Sequence, residues 1–150
     1  MRVNIINPKY LSDQQLIHEY RSIKMSTAHY EKSSNTKKGI EKSRISERYV
    51  LDKGHAYMWY NKFGYIEKRL QLLCSEMDNR KFNCNYRILN YRNIPKEAFR
   101  DFEPNEVDRI LNVERLMRGI SKKPNWYTWN GEKVEDWQEF YDVLLKEGLL

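Results

Sequence analysis

Apolar residues recur at helical intervals in three stretches of this chain and lose their period between them. In the first, Leu16, Tyr20 and Ile23 stand four and three residues apart, the spacing of one helix face. The start is signalled locally: Ser12 is placed as N-cap, Gln15 as its capping-box partner, and Leu11 with Leu16 as a hydrophobic staple. Gln14, Gln15, His18, Arg21, Ser22 and Met25 fall on other faces. Alone, the segment fits an amphipathic surface helix whose His18 and Arg21 are merely solvated.

The second stretch predicts a helix from near His55 to about Arg80, with Trp59, Phe63, Ile66, Leu70, Leu73 and Met77 as a buried stripe. Tyr57, Met58, Trp59 and Tyr60 read as core rather than as a base-stacking platform, and Cys74 as packing. Gly64 costs about 1 kcal/mol relative to Ala inside a helix, which hints at a close contact. The third helix is expected from Pro104 to Lys122, with Ile110, Val113, Met117 and Ile120 inward and Pro124 as its stop. On another of its faces Asn112, Arg115 and Arg118 form a plausible phosphate edge; a Glu114–Arg118 surface pair is the plainer alternative.

Residues 31–44 are polar, basic and interrupted by Gly39, which predicts a loop; 81–103 reads as an ordered connector. Past Gly131, Trp137, Phe140, Tyr141 and Leu144 share one helical face. That face either packs back on the domain or meets a partner. The expected fold is all-α: a compact single domain of three main helices with long irregular connectors, spanning 1–131, and a short helical C-terminal extension over 132–150.

A length of 150 residues suits one core. A net charge of +6 with 13% aromatic residues favours a polyanionic partner. Cys74 and Cys84 match no metal-ligand spacing, so reduced thiols, no metal and no cofactor are expected. No apolar run reaches the roughly 18 to 20 residues that span a bilayer, and the expected location is the cytoplasm.

Ordered blocks then carry a resemblance. Met1-Arg2-Val3-Asn4-Ile5, the run from Asp13 to Arg21, Arg44-Ile45-Ser46, Gly54-His55, Tyr60-Asn61-Lys62 and Lys68-Arg69 are followed by Ile94-Pro95, Phe99 to Pro104, and Lys123 to Tyr127. Together they resemble the phage endonuclease V type of pyrimidine-dimer DNA glycosylase over residues 1 to 131. The resemblance implies a DNA-repair protein acting on double-stranded DNA, with an N-terminal α-amine as nucleophile. Here the Met1 amine takes that place, because Arg2 is too large for usual methionine removal. An α-amine suits the task, since a pKa near 8 leaves a useful neutral fraction.

Arg2, Arg21 and Arg115 match the family's arginines, and Gln14, Gln15, His18 and Ser22 complete the expected binding set. Ser22 stands where the family has its catalytic glutamate, Met25 and Gly119 where it has cations, and Gln15 where it has a histidine. A serine hydroxyl cannot do a carboxylate's acid–base work near neutral pH. Base excision is therefore in doubt while anion binding survives. The alternative is a catalytically silent protein that masks DNA or sequesters a phosphorylated nucleotide, as a phage counter-defence protein would.

Overall fold

Ser12 does begin a helix. The computed structural model describes all residues, Met1–Leu150, and is mainly helical. Helix α1 (Asp13–Ile23) buries Leu16, Tyr20 and Ile23, and the Ser12 hydroxyl accepts from the Gln15 amide at 3.2 Å. A second helix, α2 (Met25–Ser34), follows after the single residue Lys24. The expected loop over 31–44 is thus corrected by about one turn. Ser26, Thr27 and Tyr30 are the inward positions of α2, too polar for an apolar period to reveal.

The stretch expected as one helix is two, α3 (His55–Met58) and α4 (Phe63–Asn79), joined by a 3-10 turn at Trp59–Asn61. Lys62 sits buried at the break, its Nζ donating to the carbonyls of Ser46 and Met58, both at 2.7 Å. The apolar period survives the interruption, and all six residues of the expected stripe are buried. Gly64 lies against the connector: a Cβ there would stand 2.9 Å from the Arg100 carbonyl oxygen.

Helix α5 (Glu106–Lys122) starts two residues after Pro104. Asn105 and Asp108 cap it reciprocally, each side chain accepting the other's amide at 2.9 Å. Its inward face is turned from the one expected. Val113, Leu116 and Ile120 are buried, but Ile110 is exposed and Met117 half-buried, because Asp108, Asn112 and Arg115 occupy the rest of the interior.

After α5 the chain forms a hairpin of β1 (Thr128–Trp129) and β2 (Glu132–Lys133), a small departure from the all-α expectation. Asn130 and Gly131 turn it with positive φ, 51° and 79°. The Asp13 carboxylate accepts the amides of both turn residues, at 3.1 and 2.8 Å, and itself pairs with Arg80 at 2.9 Å. Helix α6 (Trp137–Lys146) buries Trp137, Tyr141 and Leu144, and the Tyr141 hydroxyl donates to the Tyr10 carbonyl at 2.8 Å. The hydrophobic core runs without interruption from Val3 to Leu144. No helix is long and apolar enough to cross a membrane, and no group of three or more His, Cys, Asp or Glu could hold a metal ion.

Candidate nucleic-acid site

The site is built on the segment that precedes α1, and side chains from distant elements fix that segment one backbone group at a time. The Val3 amide donates to His55 Nε2 at 3.0 Å, and the Val3 carbonyl accepts from the Tyr49 hydroxyl at 2.7 Å and from Arg115 Nη2 at 2.9 Å. Asn112 Oδ1 takes the amides of Ile5 and Ile6, at 2.6 and 3.2 Å. The Ile6 carbonyl accepts from Arg69 Nη1 at 2.5 Å. Every one of these partners is buried. Buried backbone groups must find partners, and an irregular segment finds them in side chains.

The Asn4 side chain ties the network together. Its Oδ1 accepts from Asn112 at 2.7 Å and from Arg115 at 3.0 Å, and its Nδ2 donates to Glu19 at 2.8 Å. Glu19 in turn receives Arg69. His55 has a fixed tautomer: Nδ1 donates to the Val50 carbonyl at 2.8 Å, leaving Nε2 to accept from Val3 and from Arg115 Nη1 at 3.2 Å. Burial, then the charge of Arg115, pulls its pKa down from 6.5 to about 4, so the ring is neutral.

This scaffold places Arg2 on the wall of a cavity of about 170 Å³. Asn4, Gln14, Gln15, His18 and Arg115 share the wall, and Leu116, Gly119, Trp126 and Tyr127 complete it. None of the lining residues is an Asp or a Glu. Five of the eight residues expected from sequence therefore meet here: Arg2, Gln14, Gln15, His18 and Arg115.

Their polar atoms are not equally free. Gln14 both donates to and accepts from Thr128, at 3.2 and 2.9 Å, and Gln15 donates to the Leu116 carbonyl at 3.1 Å. The two glutamines clamp α1 to the hairpin and to α5. Arg115 is buried and largely committed to Val3, Asn4 and His55. Arg2 is exposed and pairs with no carboxylate, and His18 is exposed at the mouth.

The other three expected residues lie elsewhere. Met1 is half-buried against the core next to the cavity, close enough for its ammonium to depress the pKa of both His18 and His55. Ser22 is buried, its hydroxyl donating to the Glu19 carbonyl at 3.3 Å. Arg21 is exposed on a separate depression with Lys24, Lys81 and Tyr86. Asn112 and Arg118 do not extend a phosphate edge with Arg115. Asn112 is spent on Ile5 and Ile6, and Arg118 pairs with Asp52 at 3.2 Å.

A family model for pyrimidine dimer DNA glycosylases matches residues 1–90. The chain belongs to that family. Membership places it among DNA-repair proteins. The matched stretch contributes Arg2, Asn4, Gln14, Gln15 and His18 to the cavity, while Arg115, Leu116 and Gly119 come from α5 and Trp126 and Tyr127 from the residues that follow it. Sequence reasoning passed over Asn4, Trp126 and Tyr127 as lining residues. It also passed over Tyr49, His55, Glu19 and Arg69 as anchors; His55, Glu19 and Arg69 stood only as members of blocks that carried the resemblance, with no role attached.

Proposed function

We propose that the protein is a DNA-binding member of the glycosylase and AP-lyase type that keeps an amine and a phosphate-binding cavity but has given up base excision. The observation that carries this reading is a cavity at the Met1–Arg2 segment without a carboxylate on its wall. Cleaving a glycosidic bond calls for acid–base help worth roughly 10²- to 10⁴-fold. Ser22 is turned to its own helix and Glu19 is held by Arg69. An abasic sugar captures an amine without that help, because no glycosidic bond has to break first.

In this reading Arg2 receives the phosphate flanking the sugar, Arg115 holds the cavity wall, and Arg21 with Lys24 extends the positive strip along the DNA backbone. The test is borohydride trapping on duplex DNA. A covalent adduct is expected with abasic DNA and none with dimer-containing DNA. No adduct with abasic DNA, from protein whose Met1 amine is verified free by mass, would falsify the lyase part.

A second reading has support of its own. Trp126 is 55% exposed beside Tyr127 at the mouth of a cavity that also carries Arg2. That pairing of aromatic faces with a free guanidinium suits a phosphorylated nucleotide as well as a DNA strand. Thermal shifts separate the two: stabilisation by mononucleotides or cyclic dinucleotides exceeding that by duplex DNA would favour a sequestering role.

A further inference from the structure

The cavity holds a titratable side chain to which the lyase reading assigns no chemistry. Gln14, Gln15 and Arg115 are occupied by protein partners, whereas His18 makes no hydrogen bond within the protein and stands open at the mouth. It shares the wall with Arg2, the neighbour of the Met1 amine, and with Tyr127. Guanidinium and phenol groups hold their protons near neutral pH, and no carboxylate lines the cavity. His18 is the one lining residue able to accept a proton there.

We propose that His18 is the base of the elimination step, taking the C2′ proton from an abasic sugar held as an imine on the Met1 amine. The inference rests on the lyase reading above and names the residue that completes it. In the first step the neutral amine adds to the C1′ aldehyde and, with one proton taken from solvent, water leaves, giving a protonated imine. In the second, His18 removes the C2′ proton and the electron pair forms the C1′–C2′ enamine; the enamine then collapses back to the iminium, a C2′–C3′ double bond forms and the C3′–O bond breaks. The phosphate leaves with that oxygen on the downstream strand, and His18 departs as an imidazolium. Hydrolysis of the remaining imine returns the amine.

The electrostatics suit a base that works at neutral pH. Partial desolvation, then the charge of Arg2, lowers the pKa of His18 below 6.5; the Met1 ammonium and Arg115 act in the same direction and Glu19 against them. These are the groups that face it: Glu19 from its own helix, Arg2 and Met1 from the leading segment, Arg115 from α5 and Tyr127 from the stretch before the hairpin. The neutral imidazole therefore predominates at pH 7.

The experiment compares wild type with His18→Ala and His18→Asn on duplex DNA containing one abasic site. Borohydride adduct and strand cleavage are measured separately from pH 5 to 8, with melting temperatures as a check on folding. Both variants are expected to form the adduct as wild type does and to cleave ~100-fold more slowly. Adduct formation falls at acid pH in all three proteins because the amine is protonated, but the further fall in wild-type cleavage per adduct should disappear in the variants, and free imidazole should restore part of the lost rate. Cleavage at the wild-type rate by His18→Ala overturns the proposal, and so does parallel loss of adduct and cleavage, which would mark a binding role. A wild-type protein that forms no adduct refutes the lyase reading itself, and this inference with it.

Discussion

Glu19 and Arg69 meet in the dry centre of the protein, Arg69 Nε and Nη2 donating to the two carboxylate oxygens at 2.8 and 3.0 Å with both side chains 1% exposed. The carboxylate nearest in sequence to Ser22 is thereby withheld from chemistry. It serves instead as an anchor, through Asn4, for the segment that carries Arg2. Removing one partner of such a pair strands a buried charge. Arg69→Met and Glu19→Gln are each expected to cost about 3–5 kcal/mol in urea unfolding, and the double variant less than their sum. A loss below about 1 kcal/mol in either single variant would contradict the anchoring role.

The second prediction concerns pH. An unfolded histidine takes up its proton near 6.5, but folded His55 does so only at about 4. Between those values the unfolded state binds more protons, so stability is complete above pH 6.5 and falls as the pH drops towards 4. The loss from this residue is about 3 kcal/mol. His18 and His29 are also lowered, by burial first, and steepen the fall. His55→Phe should start less stable and show a flatter profile across that window; an unchanged slope would speak against the neutral ring that accepts from Val3 and Arg115.

Gly119 lines the cavity, and an added Cβ would meet Gln15 Nε2 at 3.6 Å and the Tyr127 hydroxyl at 3.7 Å, ordinary contacts both. Gly119→Ala should therefore raise stability by about 1 kcal/mol, the usual helix preference. Gly119→Leu fills the space in front of Arg2 and should abolish DNA or nucleotide binding with the melting temperature preserved. Undiminished binding by the Leu variant would show that the ligand sits elsewhere.

Gly64 is the opposite case. Its added Cβ would lie 2.9 Å from the Arg100 carbonyl and 3.1 Å from that of Phe99, backbone atoms that a flexible side chain's end cannot excuse. Despite the better helix propensity of Ala, Gly64→Ala is expected to destabilise by about 1–3 kcal/mol in thermal or urea unfolding.

What could be read from the sequence was whatever residue type and period encode. Ser12 and Gln15 announced α1, the Trp59 to Met77 stripe announced the core of α4, and Gly64 its tight contact. The break at Lys62 was hidden because the stripe keeps its spacing through a single 3-10 turn. Helix α2 was hidden because its inward positions are Ser26, Thr27 and Tyr30. At the site, Arg2 was singled out through the family resemblance and His18 through its type and place on α1, and both lie on the cavity wall. The anchors were not, since a side chain bonding a backbone amide leaves no mark on the sequence around that amide. Asn112 reaches Ile5 from 107 residues away and His55 reaches Val3 from 52. The same interior demand turned α5 so that Asn112 and Arg115, rather than Ile110, point inward.

The cavity walls also set an order of events. Arg2 and His18 leave the ribosome early, but Trp126 and Tyr127 complete the wall. No nascent fragment stopping short of them can enclose a guest. Competence therefore waits for Trp126 and Tyr127, so fragments that stop before them should compete poorly for the same ligand with the chain that includes them.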